Sequence, residues 1–195
     1  MVAQLQNYQN HPAKSGTEGQ VRGPAPTMQS ISGFTMSTNQ LEIAFHPDSV
    51  AVVGASENIM SAGHYFMRHL IDYGYRGRIY PVNPEKSEVL GLKCYPTLKD
   101  VPNSIDYVIC CIPASKVPDL IEECSQKKVK FIHLFTGRLS ETGYKEGIEL
   151  EKEILGEARK FGIRLIGPNC PGIYNPEAGL SFGYEFPTEA GKAGM

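Results

Sequence analysis

The sequence predicts an α/β fold built on a doubly wound, mostly parallel sheet. From Phe45 onward, short apolar runs of strand length alternate with amphipathic stretches of helical spacing, which is how βαβ units read. Turn residues punctuate the runs: Gly54 directly follows the first, and Asn83-Pro84 stops the second.

Ser49 to Val53 reads as the first strand. A helix is expected over Ser61 to Tyr73, with Phe66, Leu70 and Tyr73 on one face and Gly74 and Gly77 beyond its end. Arg78 to Val82 is the second strand; Asn83 is held extended by the proline after it, and Pro84 has no amide to donate. Asp106 to Ile112 is nearly all apolar, as expected for a strand covered on both faces, and Pro113 ends it. Ala114 to Lys127 then places Val117, Leu120, Ile121 and Cys124 at helical spacing. Val129 to Phe135 is the next strand. Tyr144 to Phe161 is the next helix, with Ile148, Leu155 and Ala158 inward and basic Arg159 and Lys160 in its last turn, and Arg164 to Ile166 is the last strand.

The chain of 195 residues has room for one substantial core, and its 41% hydrophobic and 21% charged content is that of a globular protein. Residues 1–40 are rich in Gln, Asn, Ser, Gly and Pro without periodicity and read as a disordered tail. The folded domain is expected over 41–178. Residues 179–195 return to Gly, Pro, Glu and Ala, and read as a linker or the truncated start of a further domain.

A net charge of -2 leaves no electrostatic footprint for nucleic acid. Apolar runs of about six residues are far short of the roughly 20 that span a bilayer, so no membrane partner is expected. The five cysteines lack CxxC spacing and are read as reduced thiols of a cytoplasmic protein.

In an open parallel sheet, ligands bind outside the carboxyl ends of the strands. Four turn-rich segments gather there: Gly54-Ala55-Ser56, Pro81-Val82-Asn83-Pro84, Thr136-Gly137-Arg138, and Gly167 through Gly172. Glycine after the first strand lets backbone amides approach a phosphate, and the following helix adds its dipole. The spacing of Gly54 and Gly63 departs from GxGxxG. A nicotinamide site would also carry Asp or Glu at the end of the second strand, to accept the ribose hydroxyls. Asn83 stands there instead, with Lys86 three residues on, so a phosphorylated ribose fits better than a free diol.

The segments SVAVVGASE, GRIYPVNPEKSEVLGLKCYPTLKDVP, DYVICCIPASKVPDLIEECSQKKVK, TGRLSETG and RLIGPNCPGIYNP together resemble the CoA-binding domain of the NDP-forming acyl-CoA synthetases. That group includes the succinyl-CoA synthetase alpha subunit and ADP-forming acetyl-CoA synthetase. The resemblance implies a Rossmann-type fold and coenzyme A as the cofactor. It places Gly54, Ala55 and Ser56 at the CoA phosphates, and Asn83 and Lys86 near the adenosine phosphate. Ile112 and Pro113 would line the cofactor, Thr136 and Gly137 its pantetheine arm, and Asn169 and Cys170 would stand at the thioester end. The family commonly has a small residue, glycine and an aromatic or aliphatic residue before SETG, and this chain departs from it in having Arg138 follow Gly137; a guanidinium at this point suits a phosphate or a substrate carboxylate, or else simply faces solvent.

No residue is assigned to catalysis. Cys170 has no histidine nearby in a base-like arrangement. His64 and His69, five apart, do not share a helical face as metal ligands would, and no metal site is expected. Glu141 is expected to cap or orient the segment that follows it. In the related synthetases a phosphohistidine and nucleotide-grasp elements lie in further domains, so a partner domain or subunit is expected to supply them. Two alternatives stand beside this: a stand-alone CoA-binding regulatory module, and an NAD(P)-dependent oxidoreductase.

Overall fold

The structure, a computed structural model, describes residues 38–181, 186–189 and 191. The expected tail lies outside them apart from its last three residues, which open helix α1 (Thr38–Phe45). The elements that follow are β1 (Ser49–Val53), α2 (Ala62–Asp72), β2 (Arg78–Val82), β3 (Glu88–Val89), β4 (Leu92–Lys93), β5 (Tyr107–Cys110), α3 (Val117–Gln126), β6 (Phe131–Leu134), α4 (Lys145–Lys160) and β7 (Arg164–Ile166).

Five strands form one sheet in the order β2-β1-β5-β6-β7, and every neighbouring pair is parallel. β3 and β4 form a separate antiparallel ribbon of two-residue strands. Alternation along the strands divides the core. Val50 and Val52 pack with Phe66, Met67 and Leu70 of α2, whereas Ala51 and Val53 pack with Leu120 and Ile121 of α3 and Ile154 and Ala158 of α4. Helices therefore cover both faces, and the chain reverses its direction of winding between β1 and β5.

Two expected faces hold in part: Phe66, Leu70 and Ala158 are buried as expected, and the other positions differ. In α2, Met67 is buried beside Phe66 and Leu70, while Tyr73 serves as the C-cap. In α4 the buried residues are Gly147, Ile154 and Ala158, with Ile148 and Leu155 only partly covered. The fold also continues past 178: Asn175 pairs with Leu180, and both Leu180 and Ser181 are buried, on the face covered by α2 in the case of Leu180. Among the described residues no helix is long and apolar enough to cross a membrane.

Candidate functional site at the carboxyl ends of the strands

The bend after β1 is shaped by two glycines. Gly54 has φ +89°, and a Cβ on it would lie 2.8 Å from the Cys111 carbonyl oxygen. Gly63, in the first turn of α2, lies so close that a Cβ would fall 1.8 Å from the Gly54 carbonyl oxygen. The helix start is thus pressed directly onto the bend. Ser61 caps α2 by accepting from the His64 amide at 3.1 Å.

The amides of Gly54 and Ala55 both donate to the Val82 carbonyl, at 2.9 and 3.3 Å, and Ala55 is fully buried. The amides that this bend leaves without a partner among the described residues are those of Ser56 and Glu57. The Ser56 hydroxyl accepts from the Asn58 amide at 3.0 Å. Asn83 is committed at both ends: its side-chain amide donates to the Ala55 carbonyl at 2.8 Å, and its side-chain oxygen accepts from the Glu85 amide at 2.9 Å. It therefore braces β2 against the bend. Lys86 is exposed one turn beyond.

Two clefts open at this edge and share Ile112. One, of about 480 Å³, lies between the start of α2 and the ends of β5 and β6; its walls include Ala62, Ile112, Pro113, Phe135, Thr136 and Gly137. The other, of about 560 Å³, lies between the ends of β1 and β2 and the start of α3, with Gly54, Asn83 and Ile112 in its walls. Their electrostatics differ. The second carries Glu85, Asp119 and Glu123 against Lys116. Among the described residues lining the first, Arg138 alone is charged. Cys111 also lines the first cleft, and burial pushes its thiol well above the usual range, so it stays protonated at neutral pH.

Thr136 is buried, and its hydroxyl donates to the Ile112 carbonyl at 2.9 Å, tying the ends of β5 and β6 together. The next residues form a tight loop held by carboxylates. Glu141 accepts from the amides of Arg138 and Leu139, and Glu151 accepts from the amide of Ser140 at 2.9 Å. Hydrogen bonding from the Ser140 hydroxyl, and then from its amide, holds the Glu151 carboxyl below the usual carboxylate range. Glu141 thus orients the residues before it rather than the following segment that the sequence led us to expect.

Asn169 sits beside Gly137: its amide donates to the Thr136 carbonyl at 3.1 Å, and its side chain lies 3.8 Å from where a Gly137 Cβ would be. Cys170 lines neither cleft. Its Sγ accepts from the Gly172 amide at 3.4 Å, and its carbonyl accepts from Nε2 of buried His133. Burial lowers the His133 pKa, opposed by that hydrogen bond.

Of the residues expected from sequence, Ile112, Pro113, Thr136 and Gly137 share one cleft, and Gly54 and Asn83 the other. Ala55, Ser56, Lys86, Asn169 and Cys170 line neither, although Asn169 lies beside Gly137. Phe135, Lys116 and the Glu57 amide were not singled out. Lys116 carried a signal, since it follows Pro113 at the start of a helix.

Residues 48–176 match the family model described as a CoA binding domain. An ADP-forming acetate–CoA ligase II of Archaeoglobus fulgidus is 41% identical over 147 residues, which is 75% of this chain and 22% of the relative. The alpha subunit of ADP-forming acetate–CoA ligase I of Pyrococcus furiosus is 40% identical over 141 residues, covering 70% of this chain and 30% of the relative. Among solved structures, a dinucleotide-forming acetyl-coenzyme A synthetase 1 of Ca. Korarchaeum cryptofilum in complex with phosphate and ADP superposes with a TM-score of 0.70 at 38% identity, covering 77% of this chain and 32% of that one. The chain thus spans less than a third of the length of these relatives. The parallel sheet, the glycine bend at its switch point and the match over 48–176 lead to one conclusion: the chain belongs to the CoA-binding domain family found in ADP-forming acyl-CoA synthetases.

Proposed function

We propose that this chain binds coenzyme A or an acyl-CoA across the carboxyl ends of β1, β5 and β6, as the cofactor-holding part of an NDP-forming acyl-CoA synthetase. The observation that carries the reading is the pair of clefts meeting at Ile112 beside the open amides of Ser56 and Glu57. A long ligand with an adenosine at one end and a flexible arm at the other suits two joined compartments better than a compact nucleotide does. Family membership sets aside the oxidoreductase alternative.

In this reading the uncharged adenine ring takes the cleft with Gly54 and Asn83, because the carboxylates of that cleft repel phosphate. The diphosphate lies over the bend, where Ser56 and the dipole of α2 face it. The pantetheine arm runs past Ile112, Pro113, Thr136 and Gly137, and the thiol end meets the loop of Asn169 and Cys170. The adenosine phosphate points outward to Lys86. The protein would act in the cytoplasm with its phosphohistidine and nucleotide-grasp site on a partner domain or subunit, this chain being one ligand-binding domain. Coenzyme A supplies the thiol that receives the acyl group; the residues named here hold and orient it.

Lys86 is exposed, so its pairing with a phosphate is screened. CoA is expected to bind about three- to tenfold more tightly than dephospho-CoA. Titration calorimetry with both ligands checks this. Equal affinities remove the phosphate assignment at Lys86, and no heat with either ligand removes the reading itself.

A further inference from the structure

We infer that Arg138 reads an anionic group on the ligand held in the cleft bounded by α2, β5 and β6. The inference rests on the CoA reading and deepens it. The cleft is apolar along Ala62, Ile112, Pro113 and Phe135, and no carboxylate lines it among the described residues. A single cation in such a wall gains strength when a ligand displaces water, because the local dielectric falls.

The backbone holds this residue in place. Arg138 has φ +69°, a left-handed conformation that disfavours any side chain bearing a Cβ. It is kept there because Glu141 accepts from its amide and from that of Leu139. The carboxylate nearest in sequence is thereby spent on backbone donors. The guanidinium forms no ion pair among the described residues and is exposed at the mouth of the cleft. A fork of five donors on a strained, braced loop suits a planar or tetrahedral oxyanion.

With the pantetheine arm in this cleft and the adenosine phosphate at Lys86, two anionic groups of an acyl-CoA can border it: the diphosphate at one end of the arm, and a terminal carboxylate at the other when the acyl chain is that of a dicarboxylic acid. The test is calorimetry on the full chain and its Arg138→Gln variant with CoA, acetyl-CoA and succinyl-CoA. A loss of about tenfold is expected. If all three ligands weaken equally, the guanidinium meets the diphosphate. If succinyl-CoA alone weakens, it meets the acyl carboxylate, and Arg138→Lys should then recover only part of the loss, as a charge without the fork. Unchanged affinity for all three overturns the inference. Failure of the unaltered chain to bind any of them removes the CoA reading, and the role of Arg138 with it.

Discussion

At the residue scale, the bend after β1 depends on the contact between Gly63 and the Gly54 carbonyl. A methyl group on Gly63 would meet backbone, which cannot swing aside as a side-chain tip can. Gly63→Ala is therefore expected to cost about 3 kcal/mol in urea unfolding and to weaken CoA binding as the bend shifts. Gly156→Ala is the control: nothing lies within 4 Å of its Cβ position in α4, so it should gain roughly 0.5–1 kcal/mol. Gly54 was legible because a glycine directly after a strand marks a bend. The depth of the Gly63 contact was not, since it exists only once α2 is docked. Asn83 was read by what it lacks, a carboxylate; the structure adds that its amide is spent on Ala55 and Glu85.

At the scale of elements, the helices stop in a common way. In α2, α3 and α4 the amide two residues past the cap returns to a carbonyl in the last turn: Tyr75 to Leu70, Val129 to Cys124, and Ile163 to Ala158. Glycine at 74 and 162 takes the left-handed turn residue, whereas Lys128 takes it in α3 with φ +58°. The boundaries of β1, β2 and β7 were legible from apolar runs closed by Gly or Asn-Pro. The β3–β4 ribbon was not, because strands of two residues carry no periodicity; its turn lies at Leu90 and Gly91, both with positive φ. The 138–140 loop owes its shape to Glu141. Glu141→Ala is expected to cost about 1–2 kcal/mol in thermal or urea unfolding, because two backbone donors lose a charged acceptor. Glu149→Ala, which removes only an exposed pair with Lys145, should change stability by less than about 0.5 kcal/mol.

At the scale of the whole molecule, His69 and His133 tie stability to pH. Burial lowers both pKa values below 6.5, partly offset by hydrogen bonds to the Tyr65 and Cys170 carbonyls. As pH falls through 6.5 the unfolded chain takes up protons on these rings and the folded chain does not, so stability declines below that point and is flat above it. Glu151, with its pKa lowered by Ser140, adds a loss at still lower pH, as its folded-state carboxylate is protonated. Urea midpoints measured between about pH 8 and pH 5 should hold steady and then fall; a midpoint that rises on acidification contradicts this account. The layered α/β plan was legible as an alternation of runs. The strand order was not, because β5 lies beside β1 through contacts between residues more than fifty positions apart.

Ile112 belongs to the walls of both compartments, so one aliphatic side chain borders each of them. A molecule touching both must pass that side chain. Reach thus sorts visitors before charge does: a short rigid nucleotide settles on one side, and only a lengthy, pliable one straddles the divide.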